Sequence, residues 1–169
     1  VLAPRTLRAA AEPKAFGSEI TGTLPSGVGA KDVILHVIRR IGAGGGTGFV
    51  VEYYGDTIRS LPMHARMTIC NMSIEMGARA GLIAPDDTTF AFIADEERPY
   101  APQGDDLERW IAQWRTLRTD DPAAFDRHEA FDVSNLKPQV TWGTTPAMTV
   151  EVGEAIPPPS DANEERALR

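Results

Sequence analysis

Apolar residues recur along this chain at two different spacings, and the switches between them outline the fold. Val33, Ile34, Val37, Ile38 and Ile41 fall at helical spacing from Lys31 onward, with Lys31, His36, Arg39 and Arg40 largely off that stripe. Gly42 is placed to stop the helix. Phe49-Val50-Val51-Glu52-Tyr53-Tyr54 is short and dense in β-branched and aromatic residues, as a buried strand should be. Upstream, Ser18 to Leu24 alternates weakly and is rich in Thr, which predicts a strand closed by the Pro25-Ser26-Gly27 turn. Pro62 suits the first turn of a second helix over 62–80 that ends at Gly81. A third helix runs from Gly104 to Arg118, with Leu107, Trp110, Ile111, Trp114 and Leu117 on one stripe. Asp105 and Asp106 at its start and Arg115 and Arg118 at its end complement the helix dipole. Three β-like pieces follow, at 130–133, 139–142 and 148–152. Helix and strand in such quick succession predict an α/β layer structure.

Residues 1–16 read as the tail of a preceding element, 17–156 as one α/β domain, and 157–169 as a linker or disordered tail after Pro157-Pro158-Pro159. A chain of 169 residues is in the range of a single domain. It begins at Val1 rather than Met, and an excised internal domain is the simplest expectation.

A formal charge of −7 and a pI near 5.0 leave no basic surface of the kind that neutralises phosphates, so nucleic acid and anionic membrane are not expected partners. No apolar stretch reaches the roughly 18 residues of a membrane span, and the N-terminus has no leader-like apolar region. The expectation is a soluble, cytoplasmic protein. One cysteine, Cys70, excludes an internal disulfide framework and a self-contained thiolate metal site.

The run Gly42-Ala43-Gly44-Gly45-Gly46-Thr47-Gly48 invites a phosphate-loop reading, but it leaves a helix and enters a strand, the reverse of such loops. A helix stop and close backbone packing explain it better. The stretch Arg66 to Arg79 carries the most chemistry. On a helix Met67, Cys70, Ile74 and Gly77 or Ala78 line one face, and Asn71 and Glu75, four apart, share a neighbouring one. An amide beside a carboxylate could hold a hydroxy acid or a metal-bound water. The plainer alternative is a surface ion pair between Glu75 and Arg79, also four apart, and Cys70 alone is more simply a small core residue. His36, His64 and His128 lack metal-ligand spacing. Asp86-Asp87, Asp95-Glu96-Glu97 and Asp120-Asp121 sit among turn formers, where solvated charge is the usual explanation.

Three segments together resemble the aconitase superfamily. They are Gly45 to Tyr53, then Met67-Thr68-Ile69-Cys70-Asn71-Met72-Ser73-Ile74-Glu75-Met76-Gly77-Ala78 with Gly81-Leu82-Ile83-Ala84-Pro85-Asp86, and Pro138-Gln139-Val140-Thr141-Trp142-Gly143-Thr144-Thr145-Pro146. The last points to the isopropylmalate branch, whose members interconvert 2- and 3-isopropylmalate by dehydration and rehydration in leucine biosynthesis. The resemblance implies a layered α/β/α aconitase-type domain with a mixed or mostly parallel sheet. It also implies a 4Fe–4S cluster in the intact enzyme, Asn71 close beside that cluster, and Glu75 facing the hydroxyl or water that leaves. Cys70 is not a cluster ligand in that pattern, and the family's three ligand cysteines are absent from this chain. The implied partners are the remaining domains of a large subunit, a small swivelling subunit and a small hydroxy-diacid substrate. By itself this chain is expected to bind no cluster and show no activity. Related hydro-lyases (homoaconitase, methylmalate or maleate hydratase) and a purely structural module remain open alternatives.

Overall fold

The computed structural model describes residues 12–168 apart from 96, 97, 99 and 121–123. Its centre is a four-stranded parallel sheet in the order β3-β2-β1-β4, built from β1 (Lys14–Thr21), β2 (Phe49–Tyr54), β3 (Ala80–Leu82) and β4 (Arg127–Asp132). Phe16 lies opposite Val51, Ser18 opposite Tyr53, and Ile20 opposite Phe131. Partner residues share a sheet face, so these six side chains form one buried surface. Helix α1 (Ala30–Ile41) lays Val33, Ile34, Val37 and Ile38 into the same core. Each such side chain contributes about 1.5–3 kcal/mol on burial. The Asp32 carboxylate accepts the Gly29 N–H at 2.8 Å to open α1, and the Gly42 N–H donates to the Ile38 carbonyl at 2.7 Å to close it.

Parallel neighbours need crossovers. The β1–β2 crossover is α1. The β2–β3 crossover is α2 (Asp56–Ser60), α3 (Met63–Asn71) and a 3-10 turn over Met72–Met76. From β3 the chain returns past both neighbours through α4 (Asp87–Ile93) and α5 (Gly104–Trp114) to reach β4. That return brings Thr119 and Phe125 onto the other sheet face, where the Thr119 hydroxyl donates to Glu52 and the Phe125 ring stacks on Tyr54 at 5.8 Å. The parallel sheet and its flanking helices match the layered α/β expectation. A small antiparallel pair, β5 (Gln139–Thr141) and β6 (Thr149–Glu151), packs beside α1, tied to it by a two-pronged Arg39–Glu154 ion pair at 2.8 and 2.9 Å.

The structure departs from the sequence reading in three places, and it also shows where the α5 stripe lies. β1 starts at Lys14, so Phe16, fully buried, belongs to the sheet rather than to a tail over 1–16; residues 1–11 of that tail lie outside the described residues. The helix expected over 62–80 ends at Gly77, and Ala80–Leu82 is a strand. The apolar stripe of α5 is not in the core: no α5 residue is buried, and Trp110 and Trp114 stack on each other while Trp114 stacks on Phe90. Within the expected linker, a short helix α6 (Ala162–Ala167) is capped by the Asp161 carboxylate.

Candidate functional site

The segment 70–77 owes its shape to contacts from three directions. Helix α3 tightens into the 3-10 turn at Met72 and stops at Gly77, whose φ of 82° is left-handed and open without strain only to glycine. The Gly46 N–H, from the glycine-rich loop, donates to the Met76 carbonyl at 2.8 Å. That loop therefore packs closely against another backbone, the use anticipated for it. From below, the Tyr53 hydroxyl of β2 meets the Ser73 hydroxyl at 2.8 Å, and Ser73 in turn donates to the Ile69 carbonyl at 3.2 Å. On the third side is Gly81 of β3. A Cβ there would run into the Ser73 hydroxyl and come within 2.8 Å of the Cys70 carbonyl. Gly81→Ala is accordingly expected to destabilise the fold by about 1–3 kcal/mol through overpacking. A lowered thermal midpoint checks it, and an unchanged midpoint would show that the turn yields freely.

Asn71 is exposed at the last residue of α3, and Glu75 is half-buried within the 3-10 turn. The two do not lie on one continuous α-helix. Asn71 closes α3 and Glu75 belongs to the 3-10 turn after it, so the four-residue α-helical spacing does not apply between them. Glu75 Oε2 is buried and has no hydrogen-bond partner among the described residues. Nor does Glu75 pair with Arg79: past the left-handed Gly77 the chain turns away, and the Arg79 N–H bonds the Phe49 carbonyl at the start of β2. Burial raises the Tyr53 phenol strongly, the Ser73 hydrogen bond partly opposes this, and nearby Cys70 and Glu75 push it further up. Tyr53, Cys70, Ser73 and Glu75 thus form one neighbourhood.

The expected stripe of Met67, Cys70 and Ile74 is not the one that enters the core. Ala65, Arg66, Ile69, Ser73 and Met76 are buried, whereas Met67 is 42% and Ile74 68% exposed. Cys70 is half-buried, and burial pushes its thiol up to about 11. Sequence reasoning gave Arg66 no role, yet it is 2% exposed. Its guanidinium donates to the Leu61 carbonyl at 2.9 Å, the Arg59 carbonyl at 2.8 Å and the Asp86 carboxylate at 2.7 Å. Asp86 also caps α4 by accepting the Thr89 N–H. It is therefore a structural partner, not the solvated turn charge expected. The available signal was the position of Arg66, three residues before Ile69 on the buried side.

The histidines are dispersed. His36 packs edge-on against Phe131, His64 is exposed, and His128 bonds the Tyr54 hydroxyl at 2.6 Å. Among the described residues no three His, Cys, Asp or Glu side chains gather as metal ligands. Of the acidic groups read from sequence, 96, 97 and 121 lie outside the described residues. The Trp142–Pro146 segment forms the β5–β6 loop, closed by the Trp142 N–H on the Met148 carbonyl at 2.9 Å. A cleft of about 720 Å³ lies between that loop and the 157–167 segment, away from Glu75. No described helix is long and apolar enough to cross a membrane.

The aconitase family (aconitate hydratase) model matches residues 1–169. The 3-isopropylmalate dehydratase large subunits of Listeria monocytogenes serotype 4a (strain HCC23) and Listeria innocua serovar 6a are each 53% identical to this chain over 156 residues. That of Listeria welshimeri serovar 6b is 52% identical over the same length. These alignments cover 92% of this chain and 33% of each relative, so the chain spans about one third of the length of the curated relatives it matches.

Proposed function

This chain belongs to the aconitase family, and we propose that it forms one wall of the active site of a hydro-lyase of the 3-isopropylmalate dehydratase type. The observation that carries the reading is the buried, unpartnered Oε2 of Glu75. Leaving a buried acceptor unsatisfied costs about 1–3 kcal/mol, and of the three such side-chain atoms among the described residues, with Ser18 Oγ and Gln139 Oε1, only that of Glu75 belongs to a group that can exchange a proton near neutral pH. Met67 on α3 and Ile74 on the 3-10 turn are exposed large apolar side chains flanking exposed Asn71 in sequence, as suits a surface that another part of a larger molecule covers.

Dehydrating a hydroxy diacid removes a hydroxyl from one carbon and a proton from its neighbour. Hydroxide leaves poorly, and a carboxyl that gives its proton to the departing oxygen lets it leave as water. On rehydration the same carboxylate takes a proton back from the adding water. The half-buried Glu75 carboxyl group is assigned to that exchange, and the Asn71 amide, able to donate and accept, orients the substrate's oxygens. A 4Fe–4S cluster, which the family implies, supplies Lewis acidity to the same hydroxyl when bound. This chain's donor set does not fit it: its single thiol is held protonated by burial, and such clusters take several thiolates. The cluster's ligands therefore belong to parts of the protein outside this chain. The partner is a small subunit, as the relatives' designation "large subunit" implies.

The test uses the full-length polypeptide carrying this segment, assembled with its small subunit, and follows conversion of 2-isopropylmalate to 3-isopropylmalate. Asn71→Ala is expected to lower kcat/KM by about 10- to 100-fold, the worth of one hydrogen bond to a charged ligand. Failure of the cluster-loaded wild type to interconvert the two acids overturns the substrate assignment. Full activity in Asn71→Ala removes Asn71 from the site.

A further inference from the structure

We infer that Tyr53 and Ser73 are positioning residues for this reaction, a hydrogen-bonded latch that holds Glu75 in place while leaving its inner oxygen free. The inference rests on the hydro-lyase reading above and concerns how its acid–base group is held. Tyr53 is 1% and Ser73 0% exposed, whereas Glu75 is half-buried, so it is Glu75 and not this pair that has surface to offer substrate. What they share is the geometry of the turn. Ser73 stands two residues before Glu75, and Tyr53 reaches it from the sheet at 2.8 Å. A 3-10 turn of five residues has poor internal hydrogen bonds and needs outside support.

The direction of the protons matters as much as the contact. Ser73 has one hydroxyl proton, and the Ile69 carbonyl takes it. Tyr53 must then donate to Ser73 Oγ, which commits the phenol proton as well. The Tyr53 and Ser73 hydroxyls are thus directed at each other and at the backbone, and Glu75 Oε2 is left without a hydrogen-bond donor among the described residues although Tyr53 is near enough to feel its charge. A latch of this kind fixes the carboxylate without quenching it. Gly81 completes the arrangement, since only the absence of a side chain lets β3 approach the Ser73 hydroxyl so closely.

The experiment is a double-mutant cycle in the assembled, cluster-loaded enzyme with Tyr53→Phe, Ser73→Ala, Glu75→Gln and the Tyr53→Phe/Glu75→Gln pair. Phenylalanine keeps the buried ring and removes only the hydroxyl. Tyr53→Phe is expected to lower kcat roughly tenfold to a hundredfold, as a slightly misplaced catalytic group does, with KM changed less than about twofold. Because the loss acts through Glu75, the double variant should be no slower than Glu75→Gln alone. Amide hydrogen exchange over 72–77 should also quicken in Tyr53→Phe, a readout independent of activity. Wild-type kcat in both Tyr53→Phe and Ser73→Ala overturns the latch. So does a double variant slowed by the full Tyr53→Phe factor, or unchanged exchange over the turn. Wild-type turnover in Glu75→Gln instead overturns the site reading itself, whatever Tyr53 does.

Discussion

Glu75→Gln in the assembled enzyme is expected to lower kcat by about 10²- to 10⁴-fold, the range lost when a general acid–base group is removed. Glutamine fills the same space and can still accept a hydrogen bond, but its amide neither gives nor takes a proton near neutral pH. Stability is expected to move the other way. Glu75 Oε2 receives no hydrogen bond and Glu75 makes no ion pair among the described residues, so the substitution breaks no contact there. Replacing a carboxylate in a partly buried setting by a neutral amide should leave the thermal midpoint unchanged or raise it slightly. Activity lost while stability holds marks a functional group; activity lost in step with stability would mark a structural one. Steady-state kinetics and a thermal melt on the same preparation decide between them, and full turnover ends the assignment.

Arg66→Met should show the opposite pattern, destabilising the fold by about 2–4 kcal/mol, mainly because the Leu61 and Arg59 carbonyls lose their donor while the 36%-exposed Asp86 carboxylate keeps water. Three acceptors lose their donor together: the carbonyls of Arg59 and Leu61, and the Asp86 carboxylate. The contacts join the end of α2, the start of α3 and the cap of α4, so the damage should spread beyond one side chain. Lysine is no substitute, because a single ammonium cannot reproduce the planar fork that reaches three separate oxygens. The pH dependence follows from Asp86. Burial pushes its carboxyl up, but the Arg66 hydrogen bond and the Thr89 backbone bond outweigh that and leave it below the ordinary Asp value. A carboxyl depressed in the folded state contributes stability that is present above its unfolded pKa of about 3.9 and is lost as pH falls through the folded value. Asp86→Asn should remove that part of the acid dependence, and thermal midpoints at neutral pH and near pH 3 measure it. A wild-type midpoint in Arg66→Met would refute the structural role.

Periodicity located the elements whose side chains decide their own burial. Helix α1 announces itself through Val33, Ile34, Val37 and Ile38, and β2 through its β-branched and aromatic run, because both enter the core directly. β3 was illegible for a physical reason. Ala80-Gly81-Leu82 has no strand signature of its own; it is a strand because β2 offers a free edge and Gly81 tolerates the close approach of Ser73. The stripe on α5 identified a helix but not its burial, since amphipathicity states which face is apolar and not what covers it. At the site, spacing alone placed Asn71 and Glu75 on a common face and offered Arg79 as a plain partner. Both readings assume α-helical geometry through residue 79, and the 3-10 turn ending at Gly77 removes that assumption. Spacing singled out Asn71 and Glu75 beside a plainer alternative, the family resemblance gave them roles, and the structure adds the free oxygen of Glu75 that no spacing rule could supply.

The strand order also sets a timetable for synthesis. β1 lies between β2 and β4, and Ala15 is joined to Asp126, 111 residues further along the chain. At about 5–20 residues per second a ribosome needs roughly 5–20 s to make that stretch. Through that interval β1 presents an unpaired parallel edge beside Phe16 and Ile20, a template for association with other nascent chains. Chaperone demand during translation should therefore peak before the codons for β4 are read and fall once its last residue clears the exit tunnel.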